Sequence, residues 1–345
     1  MSSAKQVISN AFESSAQERL SEFITTQGVA DVGVVALTPD ASTRKYFRIP
    51  WKKGTAVAAV YQEPFDPEFH PYLDITRLFL ERDIPVPQIY EVDGGAGIIV
   101  QEDLGDRQLF HLYETENQDL CDEYREQAIS LIARIQNATE AAQRANSIAS
   151  KLAFDEAKLS WELDFFLEHY FGSLRQEKLR HAEAAELKAE LNDLSAELAA
   201  VPRVLCHRDY HASNLMIDRR NNLRIVDHQD ARMGPASYDL VSFLLDRQPC
   251  PPSLAQLRDY RLFFLDERRK FGLAALDPDD FAREFRLMTI QRGLKATGTF
   301  SYQTAVAKRG AVYESFIQPT LQIVLQAAIW LERFPTLQRI LQERV

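Results

Sequence analysis

The segment from Leu205 to Ala231, L-C-H-R-D-Y-H-A-S-N-L-M-I-D-R-R-N-N-L-R-I-V-D-H-Q-D-A, restricts the possible folds more than any other part of the chain. Within it, two apolar runs, Leu215-Met216-Ile217 and Leu223-Arg224-Ile225-Val226, flank the polar run Asp218-Arg219-Arg220-Asn221-Asn222. Short β-type runs around a polar turn predict a hairpin. A hairpin brings its open ends together, so Asn214, entering the first strand, is expected to meet Asp227, leaving the second. Asp209 lies on the loop just upstream. An amide oxygen and a carboxylate are hard ligands that suit Mg²⁺, which fills the rest of its shell with waters and phosphate oxygens.

Singly, these residues say little. A His-Arg-Asp tripeptide is common by chance, and an Asp at a strand end usually caps a turn. Together, His207-Arg208-Asp209, then Asn214 after four intervening residues, then Asp227 after the hairpin, stand in the order of parts of a kinase catalytic centre. On that reading Asp209 accepts the proton of an attacking hydroxyl. Asn214 and Asp227 would hold the metal that bridges the nucleotide phosphates. His207 orients the loop, and Arg208 has no assigned role.

At 345 residues the chain can form two lobes, each with its own core. Its formal net charge of -10 argues against a nucleic-acid surface, which would need clustered Lys and Arg. Cys121, Cys206 and Cys250 are widely spaced and fit no metal or redox pattern. No signal-peptide pattern and no apolar run of about 18 residues is present, so a cytoplasmic protein without membrane contact is expected.

Residues 4–27 carry Val7, Ile8, Ala11, Phe12, Leu20, Phe23 and Ile24 among polar residues, as in an amphipathic helix. Strand patterns over residues 33–37, 46–49 and 55–61, with turn signals between them, predict an antiparallel meander. A helix over residues 68–82 and two further strands, 88–92 and 97–101, follow. Residues 1–101 are therefore expected to form a β-rich lobe, 102–106 a hinge, and 107–345 a mainly helical lobe containing the catalytic hairpin. Helices are expected over residues 118–137, 154–171, 180–199, 253–271 and most of 278–344. The fold class is α+β, and a cleft between two such lobes suits a nucleotide.

The residues quoted above resemble the aminoglycoside phosphotransferase-like branch of the protein-kinase-like fold, whose strip reads H-x-D-x-x-x-x-N, hairpin, Asp. Further segments extend the likeness over about residues 30–330: Asp40 to Arg48, Gln101 to Gly105, Val226 to Ala231, Met233-Gly234-Pro235 with Tyr238-Asp239-Leu240, and Gln291 to Phe300. These are most similar to bacterial kinases that phosphorylate N-acetylmuramate and N-acetylglucosamine at the anomeric hydroxyl in cell-wall recycling. The resemblance implies a bilobal kinase-like fold, ATP and Mg²⁺, and a small sugar acceptor. Aminoglycosides, choline-like metabolites, or an inactive nucleotide-binding module are the alternatives.

The chain departs from protein kinases in two places. No glycine-rich loop covers the phosphates; the turn Pro39 to Arg44 stands there, and Ser42 and Thr43 hydroxyls with backbone N–H groups are expected to contact phosphate unless it is a plain hairpin turn. The strand Thr55 to Tyr61 has no lysine for the α and β phosphates. Arg44, Lys45 and Arg48 are the nearest cations, and Arg48 is favoured. Asp74 and Glu81 could pair with such a cation, or serve as surface charges. The connector, through Glu102 and Leu104, is expected to meet adenine with backbone groups. His228 reads as a packing residue. Asp230 either contacts a sugar hydroxyl or holds the turn, and Asp239 is expected to hold the catalytic loop through backbone N–H groups. Tyr210, His211, Arg292 and Lys295 are candidate acceptor contacts, alongside Trp161, Glu162, Asp164 and Gln291. Trp161, Phe165 and Phe166 at helical spacing read as core before sugar platform.

Overall fold

A computed structural model describes residues 16–28, 33–37, 44–115, 118–247 and 252–344. Ser42, Thr43, Cys250 and the first part of the amino-terminal helix expected from the sequence lie outside these residues. A helix over residues 16–26 (α1) is followed by β1 (Val35–Leu37), β2 (Lys45–Trp51) and β3 (Gly54–Val60). Then come α2 (Pro71–Leu80), β4 (Ile89–Asp93) and β5 (Ile98–Glu102). The five strands form one antiparallel sheet in the order β1-β2-β3-β5-β4. Alternation along β2 buries Phe47, Ile49 and Trp51 on one face and leaves Tyr46 and Arg48 half-buried on the other. Onto the buried face α1 packs Ala16, Leu20, Phe23 and Ile24.

The helix expected over residues 68–82 is two pieces, a 3₁₀ turn at Pro67–Phe69 and α2. Pro71 explains the break, since the residue before a proline is pushed out of helical geometry and His70 is extended. Helix α2 then buries Tyr72, Leu73, Ile75, Thr76, Leu78 and Phe79.

Next come α3 (Leu109–Thr115), α4 (Gln118–Asn137), α5 (Thr139–Arg144), α6 (Ile148–Lys151), α7 (Glu156–Phe166) and α8 (His181–Ala200). Strands β6 (Arg203–Cys206), β7 (Leu215–Ile217), β8 (Leu223–Ile225) and β9 (Arg232–Pro235) lead to α9 (Tyr238–Leu245) and α10 (Leu254–Lys270). The chain ends with α11 (Pro278–Ala305), α12 (Gly310–Tyr313), α13 (Ile317–Trp330) and α14 (Pro335–Gln342). Asp155 caps α7 by accepting the Lys158 N–H at 2.8 Å, so this helix starts later than its apolar pattern. It continues as a π-helical stretch, Leu167–Arg175, closed by Gln176 in the left-handed region.

Strands β7 and β8 form the expected hairpin sheet. The β6–β9 pair, with Cys206 opposite Arg232, was not expected, because four-residue runs containing Gly234 and Pro235 carry no strand alternation. No described helix is long and apolar enough to cross a membrane.

The chain forms two compact units. One comprises the described residues of Met1–Asp106 with Met216–Gln229, the other those of Arg107–Leu215 with Asp230–Val345. Most of the hairpin therefore packs with the first unit and not, as the sequence partition had it, within residues 107–345. Arg224 explains this placement: its guanidinium grips the Glu102 carboxylate at 2.6 and 2.9 Å, and the Ile225 N–H donates to Pro85 O at 2.8 Å.

Candidate active site

In the second unit, β6 delivers His207-Arg208-Asp209 and Asp239 fixes them. Its fully buried carboxylate accepts the backbone N–H groups of His207 at 2.6 Å and Arg208 at 3.0 Å. These bonds hold Arg208 at φ +86°, a left-handed conformation that costs an ordinary residue about 1–3 kcal/mol. Arg292 completes the clamp. Its guanidinium donates to Arg208 O at 3.1 Å and Ser242 Oγ at 2.8 Å and pairs with Asp246.

Asp209 stands at the end of this clamp. Burial alone would push its carboxyl up, but Lys295, Arg208 and Arg292 overcome that and hold it well below the usual range. Lys295 Nζ lies 3.8 Å from one oxygen and Arg208 Nη1 3.7 Å from the other. The group is an ionised carboxylate whose side chain remains 28% exposed. Asn214 donates its amide N–H to Asp209 O at 2.9 Å, which fixes its amide orientation and leaves Oδ1 as the atom on offer.

In the first unit Asp227 adopts φ +63°, and Gln229 Nε2 donates to its Oδ1 at 2.8 Å. Arg44 approaches the same oxygen at 3.4 Å, its guanidinium 5.7 Å from the ring centres of Tyr46 and Tyr61. Among the described residues these contacts fall on Oδ1 and leave Oδ2 open. Asp227 Oδ2, like Asn214 Oδ1 in the second unit, is a hard oxygen of the kind Mg²⁺ takes from a protein. No cluster of three or more His, Cys, Asp or Glu ligands occurs among the described residues.

Several assignments from the sequence change. Arg48 does not point at phosphate: it bridges Asp103 at 2.8 Å and Asp106 at 2.8 Å, and those carboxylates raise its pKa. Arg44 takes its place as the cation beside Asp227. Burial first, and then Arg44, lower the pKa of His70 to about 4. Tyr210 is not an acceptor contact; it is fully buried and its hydroxyl donates to Ala128 O at 2.9 Å. Arg292 is likewise 1% exposed and committed to the loop. His211 receives Arg247 Nη2 at 2.5 Å and Asn214 Nδ2 at 3.4 Å on Nε2, which leaves its proton on Nδ1. Burial and Arg247 keep that ring neutral, so it is a brace for Asn214.

Asp230 holds Arg208 at 2.8 Å, and Lys295 Nζ stands beside the Asp209 carboxylate. Glu102 gives its side chain to Arg224, and Leu104 is buried. His228 packs against Tyr72 and Phe79. Thr76 gives its single hydroxyl proton to Tyr72 O at 2.6 Å, so His228 Nε2 is the donor in the 2.7 Å contact with Thr76. Glu81 is a surface charge. Phe166 is core, but Trp161 is 56% exposed and is not.

Residues 33–278 match the model of the phosphotransferase enzyme family. The chain belongs to that family. As one of its members, this phosphotransferase acts on a hydroxyl acceptor. It is 30% identical over 292 residues to the N-acetylmuramate/N-acetylglucosamine kinase of Pseudomonas aeruginosa, covering 82% of this chain and 81% of that one. The phosphotransferase is 28% identical over 273 residues to the protein of the same name from Neisseria meningitidis, covering 79% and 78%. Its fold is also that of spectinomycin phosphotransferase in complex with ADP and spectinomycin, with a TM-score of 0.55 at 14% identity, over 94% of this chain and 97% of that one.

Proposed function

We propose that this phosphotransferase moves the γ-phosphoryl group of ATP to the anomeric hydroxyl of an amino sugar of the N-acetylmuramate/N-acetylglucosamine type, in the recycling of cell-wall sugars. The observation that carries this reading is Asp209, an ionised base beside Lys295 on a loop clamped by Asp239 and Arg292. Asp209 accepts the hydroxyl proton as the oxygen attacks, and Lys295 and Arg208 keep the carboxylate charged and oriented. Asn214 and Asp227 would hold Mg²⁺, whose contribution is to neutralise charge on the nucleotide phosphates. Arg44, held near Asp227, adds positive charge of the kind a third-strand lysine supplies elsewhere. The two kinases to which the chain is 28–30% identical support an amino sugar. Aminoglycosides and choline are cations, and the excess of cations around Asp209 disfavours both.

A panel of N-acetylmuramate, N-acetylglucosamine, kanamycin and choline, assayed for Mg²⁺-dependent ADP release with the product read by phosphorus NMR, tests this. A sugar 1-phosphate is expected. Transfer to the antibiotic or choline alone would refute the sugar, and a 6-phosphate would refute the anomeric position. Nucleotide binding without transfer to any acceptor would leave only a binding module.

A further inference from the structure

Around Asp209 the second unit gathers more cations than its carboxylates neutralise. Lys158 on α7, Arg208, Arg232 on β9 and Lys295 on α11 feel one another's charge, against Glu162, Asp209 and Asp230. With Arg292 neutralised by Asp246, these four cations facing three carboxylates leave an excess of one positive charge. Two of the cations are held at a disadvantage. Lys158 Nζ stands 3.9 Å from Glu162 Oε1, outside hydrogen-bond distance, and burial followed by Arg208, Arg232 and Lys295 outweighs Glu162 and lowers its pKa. Burial and Arg208 lower that of Arg232 as well, despite Asp230 at 3.7 Å.

A second observation points to a ligand at the same place. Gln291 Nε2 donates to Glu162 Oε2 at 2.9 Å, yet Glu162 Oε1 and Gln291 Oε1 have no hydrogen-bond donor among the described residues, although both side chains are buried. Buried polar atoms are nearly always paired. These two oxygens lack donors within the described fold, and a small side-chain shift on binding would bring them within reach of a bound molecule. Beside them Trp161 presents an exposed ring with Lys158 Nζ 3.9 Å from its centre.

We propose that this face is the acceptor subsite and that Lys158 and Arg232 bind a carboxylate on the acceptor, so that the enzyme prefers an acidic amino sugar to its neutral counterpart. The inference rests on the amino-sugar reading above. N-acetylmuramate differs from N-acetylglucosamine by a lactyl ether, hence by one carboxylate. That single anion offsets the single excess positive charge, while sugar hydroxyl or acetamido N–H groups supply the donors that Glu162 and Gln291 lack.

The test compares kcat/KM for the two sugars. Wild type should favour N-acetylmuramate, and Lys158→Met and Arg232→Met should each lower the ratio by about tenfold or more, as removal of a charge-assisted contact does. Lys158→Arg should restore most of it. Replacing the sugar carboxylate by its carboxamide should cause a similar loss with wild type and little further loss with Lys158→Met. That comparison on the wild-type enzyme stands alone if a variant fails to fold. Turnover of neither sugar would refute the amino-sugar reading itself. Turnover of both, with a carboxamide as good as the acid and a ratio that no variant moves, would overturn the carboxylate subsite alone.

Discussion

On the proposed function, Asp209 and Lys295 form the pair on which the chemistry turns. A carboxyl whose pKa lies below its ordinary value of 3.8 stays ionised at every pH above that value. The stability contributed by its cations is present above the unfolded value and is lost only as pH falls through the depressed one. Lys295 is the foremost of the cations that oppose burial. Removing it leaves burial with less opposition, so the pKa rises. Lys295→Met should therefore move the acidic limb of the kcat/KM profile toward neutral pH, whereas wild type shows no limb from this group between about pH 5 and 8. An unshifted limb in the variant would mean that Lys295 does not set the charge of the base. The candidacy of Asp209 could be read from the sequence because its offset from Asn214 and Asp227 is set by the loop and hairpin. The roles of Tyr210, His211 and Arg292 were not, since adjacency to a catalytic residue does not reveal whether a side chain turns toward solvent or core.

Among the elements, α11 carries the most. It supplies Gln291, Arg292 and Lys295 within two turns, so one face of one helix reaches Glu162, the loop clamp and Asp209. Its seat against the end of α7 depends on Gly298, where a Cβ would lie 2.8 Å from Phe166 Cα and 2.9 Å from Phe166 N. Backbone cannot yield as a side-chain tip can. Gly298→Ala should thus destabilise the protein by about 1–3 kcal/mol through overpacking, read as a lower urea midpoint. Because α7 also carries Lys158 and Glu162, the same variant should raise KM for the acceptor more than KM for the nucleotide. A midpoint and acceptor KM equal to wild type would show that the two helices have room to spare. Helical periodicity revealed α11 and α7 as elements, but Gly298 reads in sequence only as a weak helix former. Close approach is a property of the pair, and the partner backbone lies more than a hundred residues away.

At the scale of the whole molecule, the residues assigned to one reaction are divided between two compact units. Asp209, Asn214, Lys158 and Lys295 belong to the second, and Asp227, Arg44 and the Arg224–Glu102 pair to the first. The sequence suggested a simpler split at the hinge because a hairpin's neighbours along the chain are helical; Arg224 and Glu102, 122 residues apart, are what draw it to the other unit. Asp227 and Asp209 fall in different units, and their two proposed roles can be probed by separate variants. Mg²⁺–nucleotide bound to the native state alone stabilises it by about 2.7 kcal/mol at a hundredfold excess over Kd. On the proposed role of Asp227 as a metal ligand, Asp227→Asn should abolish the Mg²⁺-dependent part of the nucleotide-induced rise in Tm. Asp209→Asn should keep that rise while kcat falls by about 10²–10⁴-fold, the range of a general base. Loss of the thermal shift in both variants would mean that Asp209 helps hold the nucleotide, and its assignment as base would then lose the observation that distinguishes it from a binding residue.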